Sequence, residues 1–209
     1  MKIYRNLVFR GSKTAIARFM GELESRLTDG WSRYQAGEAR VGAAALGGHC
    51  FACPASGPRL AAEIWIWPCP DGVEIKNVLP IGRPSMTHDE YNTVVQDFHD
   101  LFAGPAAHAT GVTVELGRTE VRIEDFLSAS TARLLHEVSE SRLRMYRIDR
   151  ERWNRFLTAA HNEGTSLEGP ELYRWLVEDE KWPESDADNL ADEYAHAREL
   201  LGVYESQHA

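Results

Sequence analysis

The hydrophobic pattern at the start of the chain switches from the period of a strand to that of a helix. Residues 3–9 place Ile3, Leu7 and Phe9 on one face of an extended segment and Tyr4 and Val8 on the other, which predicts a strand. After Ser12 apolar side chains recur every three or four residues, which predicts a helix that ends at Gly30. The following stretch, residues 30–61, is rich in glycine and poorly patterned apart from a short strand at residues 49–53. A connection of that length is usually functional or mobile.

The clearest strand signal is a hairpin predicted at residues 62–67 and 73–79. Pro70-Asp71-Gly72, which lies between the two segments, is a strong turn sequence. In the first segment the tryptophans share one face and the isoleucines share the other, so both faces are apolar. Such a strand belongs in the centre of a sheet or beneath a second module.

A second helix has the best-marked start in the sequence. Residues 87–90 have the pattern of a capping box, and the apolar stripe behind them runs to residues 104–105. Two further strands are predicted at residues 112–116 and 121–123, on either side of a tight turn at Gly117-Arg118. We expect both predicted helices to pack on one face of an antiparallel sheet.

From about residue 125 onward the pattern is helical, with four apolar stripes in succession. The order of elements predicts the α+β class, with an antiparallel sheet, helices packed on one of its faces and a helical C-terminal part. We expect a sheet domain at residues 1–125 and a helical module at residues 126–209 that packs on the first domain.

Composition narrows the classes of protein. The chain has 209 residues, of which 43% are hydrophobic and 10% aromatic, so a folded protein is expected rather than a solvated coil. No run of about 18 apolar residues is present, which predicts no membrane span. The first residues lack the apolar core of a secretory signal, and three cysteines make no disulfide framework. These features favour a cytoplasmic protein.

The formal net charge of −9 is unevenly distributed. Residues 1–150 contain equal numbers of basic and acidic side chains, so the net charge lies entirely in residues 151–209. Because a net negative charge repels polyanions at long range, nucleic acid is disfavoured as a partner. The sequence leaves the oligomeric state open.

The cysteines and histidines form no complete reactive motif. Cys50 and Cys53 have C-x-x-C spacing, but no second pair follows, so we predict buried thiols and no metal or cofactor. His108-Ala-Thr110 resembles one half of the paired motif of two-histidine phosphoesterases. The second half is absent, and one proton donor without its partner does not perform in-line acid–base catalysis.

A partial pattern supports an enzyme as the alternative function. Arg10, the Ser-Ala-Ser-Thr run that ends at Thr131, and the pair Glu137 and Glu140 resemble elements of mono-ADP-ribosyltransferases. That resemblance implies that the arginine and a serine hold the dinucleotide and that the last glutamate stabilises the ribosyl cation. Here the glutamates are spaced E-x-x-E and fall in a predicted helix. The alternative is therefore an ADP-ribosyltransferase-like enzyme or a hydrolase that binds phosphate through Arg142, Arg144 and Arg147.

The acidic C-terminal module supports the preferred function. Its carboxylates surround one tryptophan, which is interpreted as an exposed aromatic anchor of a docking surface. We therefore expect a cytoplasmic, bacterial-type immunity or antitoxin-like module that binds and neutralises a basic protein. The predicted partner-binding residues are Trp182, Glu184, Asp186, Asp188, Asp192 and Glu193.

Overall fold

The computed structural model describes residues 1–57, 59–145 and 148–208, with residues 44, 142–145 and 208 described by their backbone alone. The chain divides into two compact units. The sheet unit is Lys2–Thr119, and the helical unit is Met1 together with Glu120–Ala209. An antiparallel sheet with helices and a helical C-terminal part are both present, which confirms the α+β class.

The sheet unit contains a six-stranded antiparallel sheet. Its strands are β1 (Leu7–Arg10), β2 (Ser32–Arg33), β3 (His49–Cys53), β4 (Ala62–Cys69), β5 (Gly72–Pro80) and β6 (Thr113–Leu116). They lie in the order β2-β3-β4-β5-β1-β6, so β4 is an interior strand as its two apolar faces predict.

The predicted hairpin is present as β4 and β5, joined by Pro70 and Asp71. Gly72 is the first residue of β5 and lies opposite Arg10 of β1. A Cβ atom at Gly72 would stand 1.8 Å from the carbonyl oxygen of Phe9, so only glycine allows β1 to pair there. The turn sequence therefore also fixes the next strand of the sheet.

The main core lies on one face of the sheet, beneath helices α1 (Lys13–Arg26), α3 (His88–Phe98) and α4 (Gly104–Thr110). Ser12 caps α1 as predicted, because its hydroxyl accepts the Ala15 N–H at 3.2 Å. The capping box of α3 is also present. On the opposite face, Cys50 and Trp65 form a smaller cluster with Ala43.

Three predictions for the sheet unit are wrong. The helix that follows Thr87 does not end at residues 104–105, because a π turn (His99–Ala103) leads it into α4, where Pro105 occupies a first-turn position that needs no N–H donor. Residues 30–61 contain β2 and α2 (Gln35–Arg40) besides β3. The Gly30 stop is also wrong, since α1 ends at Arg26.

Two of the predicted strands depart from the structure as well. The first strand begins at Leu7, because the side chain of Asn92 binds the backbone of residues 3–5, accepting the Arg5 N–H at 2.7 Å and donating to the Ile3 carbonyl at 2.9 Å. The predicted strand at residues 121–123 is absent, and Ile123–Asp125 is a 3₁₀ turn.

The helical unit contains α5 (Ala129–Met145), α6 (Arg150–Asn162), α7 (Gly169–Glu178) and α8 (Glu184–His208). Its core is aromatic, with Trp153, Trp175 and Tyr194 almost fully buried. Gly164 has a φ of +63° and follows α6, as the predicted stop requires. Among the described residues, no helix is both long and apolar enough to span a bilayer.

Candidate functional site

The helical unit has a groove between α7 and α8, with a volume of about 840 Å³. The first turn of α7 forms one wall through Gly169, Pro170 and Tyr173, and the middle of α8 forms the other. This groove, called the α7–α8 groove below, is lined by two of the predicted partner-binding residues, Asp188 and Asp192.

Small side chains make the floor of the groove. A Cβ atom at Gly169 would lie 3.4 Å from the carbonyl oxygen of Ala191 and 3.8 Å from the Cβ of Ala195, so the start of α7 packs closely on α8. Pro170 stands in the first turn of α7, where its missing N–H costs nothing. The floor is therefore narrow, apolar and set by the backbones of two helices.

Four carboxylates surround this floor: Glu168, Asp188, Asp192 and Glu199. All four side chains are exposed. Among the described residues none of them forms a hydrogen bond or an ion pair with another side chain. Their negative charges are therefore exposed to solvent around the floor of the groove.

The two arginines of the groove are engaged within the unit. Arg174 donates to Glu178 at 3.2 Å. Arg198 donates to the carbonyl oxygens of Thr165, at 3.2 Å, and Leu167, and its guanidinium lies 5.7 Å from the centre of the Tyr194 ring. These two cations stabilise the α6–α7 connection and α7 itself. Since four carboxylates line the groove with them, the groove has an excess of negative charge.

Tyr194 supports the same connection from beneath. Its hydroxyl donates to the Leu167 carbonyl at 3.1 Å, and burial raises the pKa of the phenol to about 12. The phenol therefore remains a neutral donor to the α6–α7 connection throughout the physiological range.

The prediction that Trp182 is an exposed anchor is wrong. Its side chain belongs to the core of the helical unit, with a residue exposure of 3%, and its indole N–H donates to the Ser139 hydroxyl at 2.9 Å. Ser139 in turn donates to Glu180 at 2.6 Å. Lys181 has a φ of +58°, and this sharp turn after α7 directs Trp182 back into the core.

The predicted acidic residues fall into different environments. Glu193 is half-buried, accepts the indole N–H of Trp153 at 2.9 Å and pairs with Arg150 at 2.7 Å, so it stabilises the packing of α6 on α8. Glu184 is exposed at the start of α8, and Asp186 is half-buried. Only Asp188 and Asp192 line the groove, and the partner-binding role of the whole set stays a prediction.

The residues of the enzymatic alternative are divided between the sheet unit and the helical unit, and some of them lie outside the described part of the chain. The predicted phosphate ligands Arg142 and Arg144 lie outside the described side chains, and Arg147 lies outside the described residues. Ser128 caps α5 by accepting the Thr131 N–H at 3.3 Å. Arg10 pairs with Glu115 in the sheet unit at 2.6 Å.

A carboxylate binds the same serine and threonine. Glu163 accepts the Ser128 hydroxyl at 2.6 Å and the Thr131 hydroxyl at 2.7 Å. Burial raises the pKa of Glu163, but these hydrogen bonds outweigh it and leave the pKa below its ordinary value. The Ser-Ala-Ser-Thr run therefore anchors the start of α5 to the end of α6.

The thiols have the character of core groups. Cys50 and Cys53 are buried, and burial raises the pKa of Cys50 to about 12, so its thiol is protonated at neutral pH. In the part of the chain that the structure describes, no three histidine, cysteine or acidic side chains are grouped so as to hold a metal ion.

Comparisons with family models, with curated proteins and with solved structures find no match to this chain. The α7–α8 groove is therefore the feature of this chain that bears on its function. Sequence reasoning found one wall of it but missed the contribution of α7, that is Glu168, Gly169 and Tyr173, and it also missed Glu199. The spacing of Asp188, Asp192 and Glu199 at i, i+4 and i+11 was the available signal, since these positions share one face of a helix.

Proposed function

We propose that the protein is a binding module whose α7–α8 groove docks a cationic segment of a protein partner. One observation carries this proposal: four exposed carboxylates without a described partner surround an apolar floor between two helices. Neutralisation of a basic protein in the cytoplasm, in the manner of an immunity or antitoxin protein, is the biological role that we propose for it.

Electrostatics and burial would act together at such a groove. Each exposed ion pair contributes only about 0.2–1 kcal/mol, so four carboxylates alone support weak binding. Aliphatic stems of lysine or arginine that cover Gly169, Ala191 and Ala195 would add the burial of apolar surface. The charges would chiefly accelerate association and select the partner.

The groove gives no support to the enzymatic alternative. A phosphate-bearing substrate would be repelled there, because the four carboxylates of the lining outnumber its two arginines. That alternative depends on Arg142, Arg144 and Arg147, whose side chains the structure does not describe, so it stays a prediction.

Amide chemical-shift mapping tests the proposal with a lysine-rich peptide as the probe. We expect the shifts to concentrate in residues 168–174 and 188–199. A general attraction to acidic surface would instead also shift amides around exposed acids elsewhere, such as Glu120 and Glu151. Shifts spread evenly over these regions would contradict a specific groove.

Reversal of two charges in the groove tests whether its carboxylates bind the peptide. Asp188→Lys with Asp192→Lys should remove the shifts in the groove while leaving the remaining spectrum folded, because exposed acids without partners contribute little to stability. An unchanged pattern of peptide-induced shifts in this variant would refute the proposal.

A further inference from the structure

We infer that the segment bound by the α7–α8 groove is an α-helix that presents three cationic side chains on one face, separated by intervals of four and seven residues. This inference rests on the proposed function and specifies the conformation of the partner. It follows from the spacing of the carboxylates along α8, from the composition of the groove floor and from the charge that the groove leaves uncompensated.

The carboxylates of α8 repeat along one line. At 100° per residue, Asp188, Asp192 and Glu199 lie within about 40° of one another around the helix axis. The rise of a helix separates the first two by about 6 Å and the last two by about 10 Å. A ligand that satisfies all three must offer cations at these two intervals on a single face.

A helix meets this requirement and an extended chain does not. On a helix laid along the groove, intervals of four and seven residues reproduce both distances and keep the side chains on one face. In an extended strand, two residues span about 6.6 Å and three span about 10 Å. The second interval is therefore an odd number of residues, which turns the third side chain to the opposite face.

The floor of the groove suits the same occupant. Gly169, Ala191 and Ala195 project little beyond their backbones, which allows a third helix to approach closely along the seam between α7 and α8. Tyr173 stands half-buried on the α7 wall, where it offers a ring to an aliphatic stem or a guanidinium. Helices bound in grooves are recognised by anchors with this periodicity.

Glu168 supplies the fourth charge from the other wall. It is the residue that precedes the first turn of α7, and its exposed side chain makes no hydrogen bond to that turn. It faces the groove together with the α8 carboxylates. Cations on the bound helix would thus meet acidic groups on both sides of the floor, which fixes the helix laterally as well as along its axis.

Three synthetic peptides of identical composition test the inference on the full chain. The first carries lysines at i, i+4 and i+11 on an alanine-rich helix, the second carries them at i, i+2 and i+4, and the third keeps the first pattern but exchanges a central alanine with a terminal proline. We expect the second peptide to bind about two- to fivefold more weakly, the equivalent of the one ion pair with Glu199, and the third peptide, whose helix is broken between its lysines, about three- to tenfold more weakly. The first should also gain helicity when bound.

Glu199→Gln sharpens the comparison, since it removes only the carboxylate of the longer interval. It should weaken the first peptide and leave the second unchanged. Equal affinity for the first and second peptides would overturn the helical register while the proposed binding of cations stands. Failure of all three peptides to bind at low salt would overturn both.

Discussion

The carboxylates of the sheet unit that bind arginines differ from the carboxylates that line the α7–α8 groove of the helical unit. In the sheet unit Glu38, Glu90 and Glu115 each pair with an arginine at 3.0 Å or less. In the helical unit Glu193 is paired in the same manner, but the four groove carboxylates are not. Acidic composition alone therefore does not define a site. What distinguishes the groove is that its four carboxylates have no side-chain partner among the described residues.

The largest expected effect concerns the boundary between core and surface in the helical unit. Trp182→Ala should lower the free energy of unfolding by about 3–5 kcal/mol, because it empties a buried site and leaves Ser139 without its indole donor. Denaturant unfolding measures this change. Leu200→Ala, at a position that is 56% exposed, is the matched control and should change stability by no more than about 0.5 kcal/mol. If both variants lowered the free energy of unfolding by the same small amount, the assignment of Trp182 to the core would be contradicted.

The next effect tests a paired carboxylate in the sheet unit. Glu38 is 3% exposed and binds the Arg33 guanidinium and the Cys50 N–H, the latter at 2.9 Å. Glu38→Gln should cost about 2 kcal/mol, the value of charge-assisted hydrogen bonds. Urea unfolding at pH 7 measures it.

The same variant makes a pH prediction with a definite sign. Burial raises the pKa of Glu38, but the bonds from Arg33 and the Cys50 N–H outweigh it and leave the pKa below its ordinary value. The stability that Glu38 contributes is therefore present above the unfolded pKa of about 4.3 and is lost as the pH falls through the folded pKa. The difference between wild type and Glu38→Gln should shrink below about pH 4. A constant difference would contradict this account.

The smallest effect comes from two neighbours on α8. Glu193→Gln should cost about 1–2 kcal/mol, since the ionised carboxylate binds both Arg150 and the Trp153 indole. Asp192→Asn, one residue earlier, should change stability by no more than about 0.5 kcal/mol, because it has no described partner to lose. Thermal unfolding of the two variants in parallel makes the comparison. Equal losses of stability in the two variants would contradict the distinction between the paired Glu193 and Asp192, which has no described partner.

Local rules predicted those elements whose signals are contained in a few residues. The Ser12 and Thr87 caps and the hairpin between β4 and β5 follow from side chains that act on their own backbone. The π turn at His99–Ala103 was not predicted, because an apolar stripe does not distinguish a π turn from an α-helical turn. The burial of Trp182 depends on Ser139, which lies 43 residues away.

The groove could be predicted only in part for a related reason. Asp188 and Asp192 were predicted because acidic residues are concentrated after Trp182, whereas Glu199 could have been added only from its helical spacing to them. The opposite wall requires knowledge that the start of α7 packs on Ala191 and Ala195, which is a contact between separate helices. Pairing of Glu193 with Arg150 is equally non-local and separates that carboxylate from its neighbours.

The most direct test of the central claim compares two variants of equal charge. Asp188→Asn with Asp192→Asn removes two carboxylates from the groove, and Glu120→Gln with Glu151→Gln removes two exposed carboxylates elsewhere in the same unit. With the lysine peptide of pattern i, i+4 and i+11 at low salt, the first variant should bind about tenfold more weakly and the second within about twofold of wild type. High salt should reduce that contrast by screening. An equal loss of affinity in both variants would show that net charge, and not the groove, attracts the peptide.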